Sequence, residues 1–166
     1  MTFRLPLARQ NGSVHVTAAS DYGIRALVAL AASDEPKTAE VLAAEEDLPR
    51  KYLSAILNDL RKWGLVVSQR GPSGGFKLGR PASAITLADV IRVLDGPLVD
   101  VCGQRPEDVD YDGSAQDLKQ VWIAARASLR HVLEGVTVGD LATGRIPSSI
   151  KKRTADPTAW VARTAG

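Results

Sequence analysis

Cations grouped between residues 50 and 80 are the side chains whose type and spacing could do chemistry in this chain. The seven are Arg50, Lys51, Arg61, Lys62, Arg70, Lys77 and Arg80. Only one acid, Asp59, lies among them, whereas residues 95–140 hold nine acids against four cations. Lysine and arginine bind phosphate oxygens, and arginine can also hydrogen-bond the edge of guanine. The cluster therefore predicts a nucleic-acid-binding end on a more acidic body.

Side chains that support catalysis or metal binding are sparse. The chain has one cysteine, Cys102, and two histidines, so its sequence offers no cluster of metal ligands at useful spacing. The glycine-rich run at 71–75 lacks the Lys-Ser/Thr pair that follows the glycines of a phosphate-binding P-loop. There is no Ser/His/Asp arrangement either. We therefore expect a binding protein and not an enzyme, with no catalytic residues and no metal site.

Three predicted helices position the first cations. Apolar residues at helical spacing predict helices over roughly 17–32 and 38–46, and Pro49 suits the first turn of a third, over roughly 49–63. Four residues of the third helix form one buried stripe: Leu53, Ile56, Leu57 and Leu60. The opposite face of this helix is left for a ligand, or is simply a solvated face.

A short hairpin follows the third helix. Gly64 ends the helix, 65–67 and 76–78 are predicted as strands, and a glycine-rich turn with Arg70 joins them. An ordinary surface hairpin is the alternative to a DNA-binding wing. Helices joined by a tight turn and followed by such a wing make a winged helix-turn-helix. The predicted fold class is therefore mainly α with a small β wing, followed by a long C-terminal dimerisation helix.

A winged helix-turn-helix places the N-terminal part of its recognition helix against base edges in the major groove. The candidate DNA-binding residues are Arg50, Lys51, Tyr52, Ser54, Ala55, Arg61, Arg70, Ser73 and Gly74. We expect Arg50, Lys51, Ser54 and Ala55 to face the major groove. Tyr52 is better placed for a phosphate. Arg70, Ser73 and Gly74 are expected at the wing tip, near the minor groove.

A second apolar pattern predicts self-association. Ser114 followed by Asp117 has the spacing of a capping box, so we expect a long helix over roughly 114–133. Six residues keep one face of it apolar: Leu118, Val121, Trp122, Ala125, Leu129 and Val132. This seam exceeds what a small head needs for its own core, which favours a homodimer over packing within one chain. The same spacing predicts capping boxes at Thr86 and Thr137, and we expect Trp63 and Trp122 in the core.

Several runs in order resemble the Rrf-two family of bacterial transcription regulators, relatives of the iron–sulfur cluster regulator and the cysteine-metabolism repressor. The runs are Tyr52-Leu53, Gly64-Leu65-Val66, the wing sequence 70–76, the stretch 85–91 and Asp95-Gly96-Pro97. The resemblance covers about residues 16–145. It implies a homodimer that binds an inverted repeat in double-stranded DNA, expected to be a repressor. A cytoplasmic location is expected as well, because a chain with a single cysteine fits a reducing compartment. A winged-helix module that binds protein is the alternative.

The resemblance also bears on Cys102. Cluster-binding members of the family carry three cysteines in the loop that corresponds to 96–113, and here Cys102 is alone. An iron–sulfur cluster needs about four protein ligands, so we expect a member without a cluster and without another cofactor. Cys102 could serve a redox-switched regulator, or could be an idle thiol. The sequence leaves a small-molecule or redox effector open.

The expected division of the chain follows from these patterns. It is 1–13 a leader or disordered extension, 14–95 the winged head, 96–113 the cluster or sensor loop, 114–145 the dimerisation helix with a short last helix, and 146–166 a basic flexible tail. The 166 residues and 45% hydrophobic content suffice for one domain with an appendage. No apolar run is long enough for a membrane span, so no membrane partner is expected.

Overall fold

The computed structural model describes residues 16–162, and the predicted leader at 1–13 lies outside them. The described chain is mainly helical, with one two-stranded antiparallel sheet, which confirms the predicted fold class. The helices are α1 (Ala18–Ala31), α2 (Ala39–Glu45), α3 (Arg50–Lys62), α4 (Leu87–Leu94), α5 (Leu118–Leu133), α6 (Val138–Ala142) and α7 (Ser148–Thr154). The strands are β1 (Val66–Gln69) and β2 (Gly75–Leu78).

The head is built on α1, α2 and α3, which pack on one another around a leucine core. Hydroxyl side chains cap the first two helices: Thr17 accepts the Ser20 N–H, and Thr38 accepts the Val41 N–H. The predicted stripe of α3 is confirmed, because Leu53, Ile56, Leu57 and Leu60 are all buried. Burying this one face fixes which side of α3 is turned outward.

The wing is a hairpin that a third segment braces. In the sheet, Val66 pairs with Leu78 and Gln69 with Gly75. Lys37, between α1 and α2, adds a short antiparallel bridge, since its N–H donates to the Phe76 carbonyl at 3.0 Å and the Phe76 N–H donates back at 2.7 Å. A Cβ on Gly75 would lie 2.6 Å from the Lys37 carbonyl, so only glycine allows this approach.

A buried hydroxyl ties the start of α1 to the end of α4. Ser20 is fully buried, and its hydroxyl donates to the Asp95 carboxylate at 2.7 Å. The Thr17 hydroxyl donates to the other Asp95 oxygen at 2.6 Å. At its other end α4 begins with the predicted capping box of Thr86 and Asp89, which is confirmed. The end of α4, where the chain leaves the head, is therefore hydrogen-bonded to the start of α1.

The chain returns to the head at α6. Thr137 and Asp140 form the predicted capping box, and a short bridge joins Thr137 to Thr86. The Val138 N–H donates to the Ile85 carbonyl at 2.9 Å, and the Val138 side chain is fully buried. Thus α6 packs on α1 and belongs to the head, although the sequence grouped it with the dimerisation helix.

The structure corrects the start of α5. A 3-10 turn occupies Gly113–Ala115, and the helix begins at Leu118 after Asp117. The predicted capping box of Ser114 is wrong, because Ser114 lies inside the 3-10 turn and the Asp117 carboxylate accepts the side-chain amide of Gln120 at 3.4 Å. The 16 residues of α5 span about 24 Å.

The last described segment also has secondary structure. Helix α7 and a 3-10 turn at Pro157–Trp160 lie within 146–166, the segment predicted to be a basic flexible tail. The Trp160 indole N–H donates to the Thr154 carbonyl at 2.7 Å, which folds the turn back on α7. Within 16–162, no helix combines the length and apolar character that crossing a membrane requires.

Candidate nucleic-acid interface

The outer face of α3 carries most of the predicted groove-facing residues. Arg50, Lys51, Ala55 and Arg61 are exposed, while Ser54 is half-buried and its hydroxyl donates to the Arg50 carbonyl at 3.0 Å. Because the buried stripe occupies the opposite face, these side chains project from the head together. The structure therefore brings the α3 part of the predicted set onto one surface.

Arg50 is held by an acid of the neighbouring helix. Its guanidinium makes an ion pair with Glu40 at the start of α2. The pKa of Glu40 is lowered, first by a hydrogen bond from its own backbone N–H, then by the Thr38 hydroxyl and by Arg50. Glu40 is thus ionised at neutral pH. Both side chains are largely exposed, and exposed ion pairs contribute little to stability, so Arg50 can exchange Glu40 for another acceptor at small cost.

Three further cations of the head have no acidic partner in the described chain. Among residues 16–162, Lys51, Arg61 and Arg70 make no ion pair with a carboxylate. Lys62, in contrast, pairs with Asp59 one turn back along α3. Unpaired cations on one side of the head leave a positive field that attracts phosphate.

Tyr52 rests on a residue that the sequence did not single out. Its ring lies edge-on to the ring of Tyr22 on α1, with centroids 5.8 Å apart and planes at 81°. Tyr52 is 44% exposed. This aromatic pair fixes the start of α3 against α1. No local pattern could have revealed it, since the two residues are 30 positions apart in the chain.

The wing tip presents backbone and one charge. Arg70 and Ser73 are exposed. The Gly74 N–H donates to the Gly71 carbonyl at 2.9 Å, and a Cβ on Gly74 would lie 2.5 Å from the Gln69 carbonyl oxygen. The tip is therefore a tight turn in which glycine is required, and it allows another backbone to approach closely.

The base of the wing holds the clearest error of the sequence analysis. Trp63, expected in the core, is 66% exposed. Its spacing after Leu60 continues the buried stripe, but α3 ends at Lys62 and Trp63 is the C-cap with φ −95° and ψ 5°. The backbone turns there, and the indole leaves the core face.

Trp122 is half-buried, and its indole N–H donates to the Tyr111 hydroxyl at 3.0 Å.

The apolar face of α5 is not covered within the described chain. No residue of α5 is buried, and within the predicted seam Val121 is 55% exposed. Ala125 is exposed as well, and Leu118, Trp122, Leu129 and Val132 are half-buried. A seam of this length left in water is unusual for a chain that functions alone.

The loop between α4 and α5 brings no ligand set together. Cys102 is exposed, at a positive φ of 53°, in a turn that the Asp100 carboxylate closes by accepting the Gly103 N–H at 2.8 Å. Asp110 pairs with Lys119, and Glu107 pairs with Arg126 on α5. The pKa of Glu107 is lowered, first by its own backbone N–H and then by Arg126. Within 16–162, no three His, Cys, Asp or Glu side chains converge on a possible metal site.

Known proteins match this arrangement over most of the chain. The model of the Rrf2 family, described as an iron-dependent transcriptional regulator, matches residues 16–144. The HTH-type transcriptional regulator Rv1287 of Mycobacterium tuberculosis is 41% identical over 139 residues, which are 82% of this chain and 86% of the relative. The HTH-type transcriptional regulator CymR of Bacillus subtilis is 35% identical over 124 residues, 74% of this chain and 85% of the relative.

Solved structures match the fold as well. The structure of CymR, described as the global cysteine regulator of B. subtilis, superposes with a TM-score of 0.67 at 32% identity and covers 78% of this chain and 97% of its own. The structure of T. potens IscR superposes with a TM-score of 0.62 at 29% identity, covering 90% and 93%.

Proposed function

Since the chain belongs to the Rrf2 family of transcriptional regulators, we propose that it regulates transcription by binding an inverted repeat in duplex DNA as a homodimer. We further propose that it represses the adjacent genes and acts in the bacterial cytoplasm, where its DNA lies. The family assignment confirms the expected regulator in place of an enzyme. The observation that carries the proposal is the shared outer surface of α3, where Arg50 pairs with Glu40 exchangeably and Lys51 and Arg61 pair with no acid of residues 16–162.

Each part of the surface has a proposed role. Arg50, Lys51, Ser54 and Ala55 meet base edges in the major groove, because the N-terminal part of a recognition helix lies there. Tyr52 and Arg61 contact phosphates. Arg70, with Ser73 and Gly74 beside it, lies near the minor groove, whose negative potential attracts arginine. The uncovered seam of α5 supports the dimer, since a second copy of the same helix would bury it.

Selection from random duplexes, followed by a gel shift at two salt concentrations, tests this function. We expect an enriched inverted repeat and an affinity that falls steeply with salt, because Lys and Arg release condensed counterions from DNA. If no sequence binds better than bulk competitor at moderate salt, the proposal fails. Capture of a protein partner by the same surface would then favour the protein-binding module.

Arg50→Ala is expected to relax base preference at one position in each half-site. A well-placed arginine on a guanine edge contributes about 1–3 kcal/mol of discrimination, so the preferred base should lose roughly 5- to 150-fold of its advantage. Repeating the selection with the variant measures this.

Glu40→Gln is the matched control, because it removes the ion pair and keeps Arg50. This variant should retain the base preference of the wild type. If Arg50→Ala weakens all sequences equally, Arg50 contacts only a phosphate and its assignment is wrong.

We also propose that the protein works without an iron–sulfur cluster. The family is described as iron-dependent, but the residues present do not fit a cluster. The chain has one thiol, it is exposed, and two of the loop carboxylates, Asp110 and Glu107, are paired with Lys119 and Arg126. A cluster needs about four ligands.

Anaerobically purified protein should therefore be colourless, and Cys102→Ser should bind the operator as the wild type does. Absorbance spectra and gel shifts measure both properties. Visible charge-transfer absorbance in the wild type that disappears in Cys102→Ser would contradict the proposal. Loss of binding on oxidation of the wild type alone would instead show that Cys102 is a redox switch.

A further inference from the structure

A second basic surface lies at the end of the described chain. Residues 145–160 contain four cations, Arg145, Lys151, Lys152 and Arg153, and a single acid, Asp156. All four cations are exposed, and three of them stand on α7. We propose that this α7 surface, defined by the four cations, binds the phosphates of duplex DNA that flanks the operator. The inference rests on the proposed DNA-binding function and adds a contact outside the winged head.

The charges of the α7 surface are not neutralised within the protein. None of the four cations makes an ion pair among the described residues. The nearby Asp156 carboxylate is turned to Thr158, from which it accepts the backbone N–H at 2.9 Å and the hydroxyl at 2.8 Å. Other exposed cations of the chain, such as Arg50 and Lys62, do pair with acids. Unpaired positive charge at this density favours a polyanion.

The shape of the surface suits a chain of phosphates better than a small anion. A groove of about 630 Å³ separates the end of α5 from α7 and the 3-10 turn, and the polar side chains that line it are those of His131, Ser149, Lys152, Arg153 and Asp156. All of these side chains are exposed to solvent. Pockets for small molecules bury most of their ligand, which this open groove cannot do. A phosphodiester backbone can lie along such a groove while its other face stays in water.

The fold places the start of this surface near the base of the wing. Helix α6 packs on the 3-10 turn Ala82–Ala84, which follows β2 closely. The approach is tight, since a Cβ on Gly139 would lie 3.1 Å from the Ser83 backbone nitrogen. The residues between α6 and the first turn of α7 can span at most about 20 Å. Duplex DNA carries one charge per about 1.7 Å of its axis, so DNA running past the wing offers α7 several phosphates.

Two duplexes distinguish this contact from the operator contact. One carries the selected inverted repeat alone, and the other carries the same repeat with flanks of unrelated sequence about one helical turn long. Wild-type protein should bind the flanked duplex more tightly. The variant Lys151→Gln, Lys152→Gln, Arg153→Gln should bind the flanked duplex about tenfold or more weakly than wild type does. It should bind the short duplex with wild-type affinity. Its log–log salt slope on the flanked duplex should fall by roughly 2.7 for each α7 engaged.

The variant Lys151→Arg, Lys152→Arg, Arg153→Lys keeps the charge and is the matched control, so it should behave as wild type. Glutamine is a good helix former, so the neutral variant should keep α7, which circular dichroism checks. If the glutamine variant equals wild type in affinity and in salt slope on the flanked duplex, the inference is overturned while the proposed function stands. Loss of binding to anionic lipid vesicles, with unchanged DNA binding, would also overturn it in favour of a membrane surface. A wild type that binds neither duplex refutes the proposed function itself.

Discussion

Leu129→Asp is expected to convert the protein into a monomer and to lower its operator affinity by about 100-fold or more. Leu129 lies in the seam of α5, in which no side chain is buried by the described part of the chain. A carboxylate placed there would have to be desolvated without a partner when two copies meet, which is strongly unfavourable. A monomer engages one half-site at a time and loses the gain that linked binding provides, about 10²–10⁴ in typical cases.

Sedimentation at micromolar concentration and a gel shift on the selected operator measure the two parts of this result. Ala127→Asp is the matched control, because Ala127 is exposed and lies on the opposite side of the same helix. The control should stay dimeric and keep its affinity, since its carboxylate remains in water. A wild type that sediments as a monomer and still binds with the affinity of a dimer would refute the seam as an interface.

Gly75→Val should collapse the wing and cost about 1–3 kcal/mol of unfolding free energy, the range in which overpacking a tight site falls. A Cβ at this position would lie 2.6 Å from the backbone of Lys37, and neither segment can shift without breaking the bridge that joins Lys37 to Phe76. Because the bridge sets where the hairpin points, we also expect DNA affinity to fall at least tenfold. Urea denaturation and a gel shift measure the two effects.

Arg70→Ala separates the shape of the wing from its charge. Arg70 is exposed and makes no ion pair in the described chain, so this variant should keep wild-type stability and lose only affinity. If Gly75→Val unfolds at the same urea concentration as wild type and binds DNA equally well, the bridge to Lys37 does not position the wing.

Two kinds of element were predictable from the sequence: helices with a periodic apolar face, and elements whose ends are marked by glycines or capping residues. The stripe of α3 repeats over about two turns, so the periodicity decides which face is buried, and all four of its residues are buried as predicted. Glycines at the ends of short apolar runs mark the hairpin for a similar reason: the turn requires them. Two of the three predicted capping boxes, at Thr86 and Thr137, are confirmed.

The errors lie where a local pattern ends or where distant residues meet. Trp63 continues the spacing of the stripe, but the helix stops one residue earlier; Gly64 signals that the helix ends here, but not that the indole before it turns away from the core. Ser114 has the right spacing for a cap, yet a 3-10 turn uses it first. Two contacts, Tyr22 with Tyr52 and Lys37 with Phe76, join residues 30 or more positions apart. They depend on tertiary packing, which short-range periodicity does not contain.

The path of the chain out of the head and back has a consequence for the DNA that a dimer can accept. Segment 96–135 is anchored at both ends, by Ser20 and Thr17 on Asp95 at its start and by the seating of Val138 on Ile85 at its return. Because this segment, the arm, is held to the head at both ends, it cannot rotate freely relative to the head. One base pair inserted between half-sites rotates them by about 35° about the DNA axis. In the proposed dimer the arm cannot follow that rotation, so the helical phase of the operator is set by the protein.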